Sequence, residues 1–281
     1  MDAKIDYLSF TLPLNLSGAG HDGNAAAEIN DRLRATGFED FCDFLSREMP
    51  ARRGGRGHYG AGYFWQTAHI SIWWGGIANH VLVEIAGVGC QMLRDDASIL
   101  STLIAAQTRA TRIDVAVDLP DAGKPLDFVS LRKKNRFASK ASYESASGWT
   151  EYVGSMKASR FARVYLYAEP HPRAGVLRVE HVLRDEYAKA TCSLILLQGL
   201  KEAVAQLGNT FGWQHPRWQP GITTDGKITA QRHDTHGSGT LRWLLKAVAP
   251  ALIKAHKDGL IDVQAWMRQY VLSEIDNTDA E

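Results

Sequence analysis

The sequence predicts an α+β protein with a mostly antiparallel central sheet and flanking helices, followed by a smaller helical C-terminal part. Strand-like segments fill the first 185 residues, helical periodicity replaces them afterwards, and the chain contains no short-period repeat. With 281 residues and 45% hydrophobic content, the chain is long enough to bury a sizeable core. We therefore expect a sheet domain at residues 1–185 and a helical part packed on it at residues 186–281, with a loop near residues 209–239.

Turns separate the predicted elements of the first part. A strand ends at Pro13, a helix runs from Asn24 through Leu33, and a glycine-punctuated hairpin follows that includes the strand HISIWW. After the strand HVLVEIAG and a turn at Gly87 and Gly89, Asp95 and Asp96 favour the start of a helix that ends near Arg109. Further strands are predicted at TRIDVAVDL, WTEYVGSM, RFARVYLY and GVLRVEHVLR, with a short helix in PLDFVSLRKK. Three helical segments follow: DEYAKATCSLILLQGLKEAVAQLG, TLRWLLKAVAPALIKAHKDG and DVQAWMRQYVLSEI.

Charge and cysteine content narrow the class of protein. The net charge is only +1, but the region from Ser130 to Tyr165 holds eight basic residues and two acidic ones, a local charge of +6. If the protein binds nucleic acid, the positive charge that it uses must therefore be concentrated in one region of the chain. Three dispersed cysteines do not form a disulfide framework, and neither a signal peptide nor a membrane-spanning segment is evident. We expect a soluble protein of a reducing cytoplasm, with no membrane partner.

Acidic residues interrupt three of the predicted strands. Glu84 lies in VLVEIAG, Asp114 and Asp118 in TRIDVAVDL, and Glu180 in LRVEHVL. A carboxylate in an apolar β-run is unfavourable unless it is solvated, paired or bound to a cation. Carboxylate oxygens suit Mg²⁺ or Mn²⁺, so one interpretation is a shared metal site. The alternative is that these acids form ion pairs with Arg112, Arg163 and Arg178 on the same sheet.

The segment RFARVYLYAEPH carries two tyrosines on one strand face. Alternation places Arg163, Tyr165 and Tyr167 on the same side of the strand. A tyrosine acts as a nucleophile at neutral pH only where neighbouring groups stabilise its phenolate, because its ordinary pKa is about 10. A metal held by carboxylates, together with nearby arginines that stabilise phosphoryl charge, would provide such neighbours.

The order of five segments resembles the Rep_trans family, the replication initiation factors of rolling-circle plasmids, filamentous phages and related conjugative-element relaxases. The segments are VLVEIAGVGCQML, TRIDVAVDL, EYVGSMKASRFARVYLY, LRVEHVL and RWLLKAVAPAL, and the resemblance extends from about residue 57 to residue 270. The family's nicking motif is matched at Tyr152, Gly154, Ser155, Phe161, Arg163 and Tyr165. Met156, Ala158 and Tyr167 depart from it, where the family has arginine, serine and lysine.

The resemblance implies a role for each matched residue. Tyr165 would be the nucleophile, with Arg163 beside it, and Glu84, Asp114, Glu180 and, less clearly, Asp118 would hold Mg²⁺ or Mn²⁺. Which of the two aspartates binds the metal is left open by their spacing, because both lie on one strand face. Tyr167 is either a second nucleophile or a packed strand aromatic. Contacts with the DNA backbone are expected from basic residues before and within the motif: Arg132, Lys133, Lys134, Arg136, Lys157 and Arg160.

The implied activity is metal-dependent, site- and strand-specific nicking and closing of DNA through a 5′-phosphotyrosine, which starts rolling-circle replication of a phage or plasmid. One alternative is a relaxase of the same family that acts on a conjugative element, and another is a DNA-binding regulator that keeps the fold without nicking. The implied partners are origin DNA, single-stranded or supercoiled, a host helicase and polymerase in a bacterial cytoplasm, and a second copy of the chain in a homodimer.

Overall fold

The computed structural model describes residues 2–13, 25–78, 80–96, 98–133, 140–145, 148–167, 170–171, 173–220 and 226–229, and residue 262. The chain divides into two compact units, Met1–Gln231 and Arg232–Glu281. The helices predicted after Leu241 lie outside the described residues, and the domain division predicted at residue 185 stays a prediction.

A ten-stranded sheet forms the body of the first unit, and its neighbouring strands pair antiparallel, which confirms the predicted fold class. The spatial order is β2-β3-β4-β5-β1-β6-β10-β9-β8-β7. The strands are β1 (Asp2–Leu12), β2 (Ala51–Arg56), β3 (Tyr59–Trp65), β4 (Ile70–Trp74), β5 (Val81–Ala86), β6 (Ala110–Pro120), β7 (Lys140–Ser145), β8 (Gly148–Val153), β9 (Arg160–Leu166) and β10 (Val176–Arg184).

Seven helices accompany the sheet in the described residues. They are α1 (Ala25–Arg34), α2 (Glu39–Leu45), α3 (Val88–Asp95), α4 (Ser98–Ala106), α5 (Pro125–Ser130), α6 (Glu186–Gln198) and α7 (Leu200–Phe211). None of the described helices is long and apolar enough to cross a membrane.

The sheet has one apolar face and one polar face. Alternation along β6 turns Ile113, Val115 and Val117 to the apolar face, where they are fully buried. Phe10 of β1 stacks there on Phe38 before α2, with ring centroids 4.8 Å apart. Because the helices bury this face, the charged strand residues of the opposite face are left to pair with one another.

The central strand β6 shows the predicted alternation, but the acidic side is not solvated. Asp114 is 1% exposed and Asp118 is 7% exposed. Strand β6 lies between β1 and β10, so the side chains of both neighbours cover its polar face. Strand β1 contributes an irregularity between Ile5 and Tyr7, which brings Tyr7 opposite Asp114.

Several element boundaries correct the sequence-based prediction. Asp95 ends α3 rather than starting a helix, and α4 begins at Ser98. The turn predicted at Gly87 and Gly89 is the start of α3, and α2 and β7 were not predicted. The single helical run predicted after residue 185 is two helices, because Gly199 adopts a φ of +86° that interrupts the helical backbone.

Candidate active site

Tyr165 lies on the polar face of β9, next to β10. Its hydroxyl donates a hydrogen bond to Oε2 of Glu180, with 3.3 Å between the two oxygens. Arg163 stands two residues earlier on the same face and donates from Nη2 to Oε1 of Glu180. Strand register explains this grouping, because Glu180 is directly opposite Arg163 in the β9–β10 ladder. Burial raises the pKa of Tyr165 above its ordinary range, and the charge of Glu180 raises it further.

Arg163 carries a free donor beside this tyrosine. Its Nε atom is buried and has no hydrogen-bond partner among the residues that the structure describes. A buried unpaired donor is costly and is rare in folded proteins. The Arg163 side chain as a whole is 33% exposed, so another part of its guanidinium is open to an anion on this face.

Asp114 and Glu180 are two buried carboxyls, each of which affects the pKa of the other. Burial raises the pKa of Asp114 to about 7, against the attraction of Arg112, which donates from Nε to Oδ1 at 2.8 Å. Burial acts on Glu180 in the same direction, but the Arg163 guanidinium outweighs it and holds the pKa of Glu180 below its usual value. Glu180 is therefore the ionised member of the pair at neutral pH.

Asp118 is the centre of a separate ion cluster. Arg178 donates to it from Nε at 2.6 Å and from Nη2 at 2.9 Å, and the Lys4 ammonium approaches within 2.9 Å. Arg173 adds a further contact at 2.8 Å. Burial would raise the pKa of Asp118, but these cations lower it below the ordinary value.

Glu84 lies on β5, and two neutral donors and one cation occupy its carboxylate. The Tyr7 hydroxyl donates to Oε1 at 2.6 Å, and the Trp73 indole donates to Oε2 at 2.8 Å. Arg56 forms an ion pair with Oε2. Strand β1 separates Glu84 from Asp114 in the sheet.

The carboxylates of the predicted metal site do not fit a divalent cation as they are arranged. Asp114 and Glu180 come together, but within the described part of the chain no group of three or more His, Cys, Asp and Glu side chains could hold a metal ion. Each of the four acids already has a basic partner, and three of these pairs are the ones that the ion-pair alternative names: Arg112 with Asp114, Arg163 with Glu180, and Arg178 with Asp118. The metal ligands stay a prediction.

Tyr167 lies beside Tyr165, with ring centroids 5.4 Å apart and the planes at 76°. Its other side stacks on His171 at 4.0 Å, and the Arg178 guanidinium lies 5.2 Å from its ring centroid. These contacts give Tyr167 a packing role whether or not it also reacts with DNA.

The predicted DNA-binding residues occupy several places. Arg160 is buried on the apolar face, where it donates to the Ile228 carbonyl at 3.3 Å and lies 4.3 Å from the Tyr187 ring centroid. Lys157 is exposed in the turn before β9, and Arg132 and Lys133 follow α5. Lys134 and Arg136 lie outside the described residues. The DNA contacts of all six stay predictions.

Sequence reasoning missed three partners of the strand acids. Lys4 and Arg173 pair with Asp118, and Tyr7 donates to Glu84. Glu84 was nominated as a charged residue inside an apolar strand, and the same criterion applies to Lys4, because a lysine between apolar residues of a strand needs a partner. Tyr7 was hidden by the irregularity in β1, and Arg173 lies in a turn whose position only the fold determines.

Comparison with solved structures places this arrangement in a known fold. A rolling-circle replication initiator protein from Geobacillus stearothermophilus matches with a TM-score of 0.54 and 18% sequence identity, over 82% of this chain and 99% of that chain. The chain has the fold of a rolling-circle replication initiator. No protein-family model and no curated protein matches the sequence. The initiator fold agrees with the expectation from the five segments, and the residues of its active site are a separate question.

Proposed function

We propose that the protein initiates rolling-circle DNA replication as a site- and strand-specific nicking and closing enzyme with Tyr165 as its nucleophile. The observation that carries the proposal is that Tyr165 and Arg163 both donate to the Glu180 carboxylate on one face of the sheet. The similarity of the fold to a rolling-circle initiator supports it.

The Tyr165 oxygen would attack the scissile phosphorus, forming a phosphotyrosine bond to the 5′ side and releasing the 3′ oxygen. Because the pKa of Tyr165 is raised, its proton must leave as the new bond forms. Ionised Glu180 accepts the Tyr165 hydrogen bond and is placed to take that proton. Arg163 would bind a non-bridging phosphate oxygen, and the leaving oxygen would take the proton from Glu180 to become the 3′-hydroxyl.

Closing is the reverse reaction. The phosphotyrosine bond retains the energy of the phosphodiester, so attack by a free 3′-hydroxyl would restore the strand without ATP. A requirement for Mg²⁺ or Mn²⁺ is a separate part of the prediction, and no step above depends on it.

The test is covalent capture of DNA. The protein is incubated with supercoiled plasmid that carries its origin, with Mn²⁺ in one arm and EDTA in the other, and protein-linked nicked circles are counted. We expect adducts with the wild-type protein and a loss of at least about a hundredfold in Tyr165→Phe, since covalent catalysis needs the hydroxyl. Tyr167→Phe is the matched control and should keep adduct formation.

Three results would change the proposal. Specific origin binding without any adduct would favour the non-catalytic regulator, and an adduct in Tyr165→Phe would show that another residue is the nucleophile. Equal adduct formation with EDTA and with Mn²⁺ would remove the metal requirement and leave the tyrosine chemistry in place.

A further inference from the structure

Three arginines on β2 and β6 lie over aromatic rings on the polar face of the sheet. The guanidinium carbon of Arg53 is 3.7 Å from the Phe64 ring centroid, that of Arg112 is 4.5 Å from Tyr7, and that of Arg56 is 5.4 Å from Trp73. We name these six residues the arginine–aromatic row. Glu84 joins two of its pairs, because Arg56, Trp73 and Tyr7 all donate to that carboxylate.

The arginine–aromatic row is continuous with the Tyr165 site. Arg112 binds Asp114, and the Arg163 guanidinium lies 3.9 Å from the same carboxylate while it also pairs with Glu180. Seven strand spacings separate β2 from β9, a path of about 34 Å at about 4.8 Å per strand. The row therefore leads from the proposed nucleophile to the edge of the sheet.

The edge itself is basic and open. All six residues of β2 are exposed, including Arg52, Arg53 and Arg56, and the β2–β3 hairpin from Ala51 to Trp65 contains no acidic residue. Glycines at positions 54, 55 and 57 leave the backbone of this hairpin without side chains, so a phosphate chain could approach it closely. This charge complements a polyanion.

The row favours unpaired bases over a duplex. Phe64 is half-buried, so its ring and the planar guanidinium that lies on it form a flat, partly apolar surface. Bases that are free of a partner strand stack on such surfaces, whereas a duplex exposes only its phosphates and groove edges to them. Trp73 is only 5% exposed, so it supports Arg56 from below rather than receiving a base itself.

We infer that the arginine–aromatic row binds the single-stranded DNA that flanks the nicked phosphate and guides it across the sheet to the β2 edge. This inference rests on the proposed function for the identity of the nucleic acid. The test measures DNA binding without cleavage, so its result bears on the inference independently of whether the protein nicks DNA.

The binding test uses Tyr165→Phe protein, which does not cleave, and a fluorescent single-stranded oligonucleotide of about 16 nucleotides. Adding Arg53→Ala should weaken binding about tenfold, the loss expected for one stacked base. It should also reduce the slope of log affinity against log salt concentration by about 1, because one phosphate contact is lost. Arg53→Lys should keep the salt slope and still lose affinity, because lysine keeps the charge without the planar surface.

Arg94→Ala is the matched control, since Arg94 is an exposed arginine on α3 that pairs with Asp95 and lies off the row. Binding by Arg53→Ala as tight as by Arg94→Ala would overturn the inference, as would an equal loss for a blunt duplex of the same sequence. If Arg53→Ala leaves binding unchanged while the wild-type protein forms covalent adducts, the role of the arginine–aromatic row is rejected and the nicking activity stands. If Arg53→Ala weakens binding while the wild-type protein forms no adducts, only the nicking activity is rejected.

Discussion

At the scale of single residues, burial decides which groups ionise. Burial keeps Tyr165 and His181 neutral and raises the pKa of Asp114 to about 7, whereas Glu180 stays charged because the Arg163 guanidinium stabilises its carboxylate. Only spatial neighbours distinguish Asp114 from Glu180, since both are acids within apolar strands. Sequence could nominate these residues for chemistry, but it could not assign their protonation states.

His181, on the apolar face, makes the stability of the protein depend on pH. Its Nε2 accepts a hydrogen bond from the Trp213 indole at 2.8 Å, and burial lowers the pKa of His181 to about 4. The unfolded chain, with a histidine pKa of about 6.5, binds the proton first as pH falls. Stability from this group is therefore complete above about pH 6.5 and is lost between about pH 6.5 and pH 4.

We expect the wild-type protein to lose about 2 kcal/mol more unfolding free energy between pH 7 and pH 5 than His181→Leu, which cannot titrate there. Urea unfolding of both proteins at the two pH values measures the difference. The leucine variant should be less stable at pH 7, because it also loses the Trp213 hydrogen bond. Parallel decreases in the two proteins would show that His181 does not control the acid sensitivity.

At the scale of elements, close backbone contacts fixed boundaries that periodicity could not predict. The strands were predicted well, because alternation such as that of β6 depends only on neighbouring residues in the chain. Helix α3 was missed because Gly87 and Gly89 are typical turn residues. In the structure Gly89 is a helical residue, and only glycine fits there because an added Cβ would lie 2.2 Å from the Ala68 carbonyl oxygen.

We therefore expect Gly89→Ala to lower the free energy of unfolding by about 1–3 kcal/mol, because the clash with a backbone oxygen forces α3 away from the sheet. Gly54→Ala on exposed β2 is the control, since an added Cβ there meets nothing within 4 Å. Its effect should stay within about 0.5 kcal/mol. Chemical denaturation gives both values, and equal stability of the two variants would refute the proposed contact.

At the scale of the whole sheet, each of the four strand carboxylates on the polar face has at least one cationic partner. The carboxylates Glu84, Asp114, Asp118 and Glu180 face the cations Arg56, Arg112, Lys4, Arg163, Arg173 and Arg178. Ion pairs of this kind satisfy the acids without a metal, so a cation would have to displace an arginine to reach them.

We expect the melting temperature of the DNA-free protein to be the same with Mn²⁺ as with EDTA, because a ligand raises stability only when it binds the folded state. Thermal unfolding followed by circular dichroism tests this. A rise of several degrees that Asp114→Asn removes would instead establish the predicted metal ligands, and a rise that this variant keeps would locate the ion elsewhere.

The sequence alone determined the α+β class and most strands of the sheet, because these depend on alternation and on local spacing. The resemblance of five segments to the Rep_trans family nominated Tyr165, Arg163 and the strand acids. Only the tertiary structure decided which acid meets which arginine, and that Glu84 is tied to Tyr7 and Trp73 instead of joining Asp114 and Glu180. It also placed Arg160 against the Ile228 carbonyl and the Tyr187 ring. The reason is strand order: β1 separates β5 from β6 while β10 joins β6 to β9, and no local pattern along the chain encodes that order.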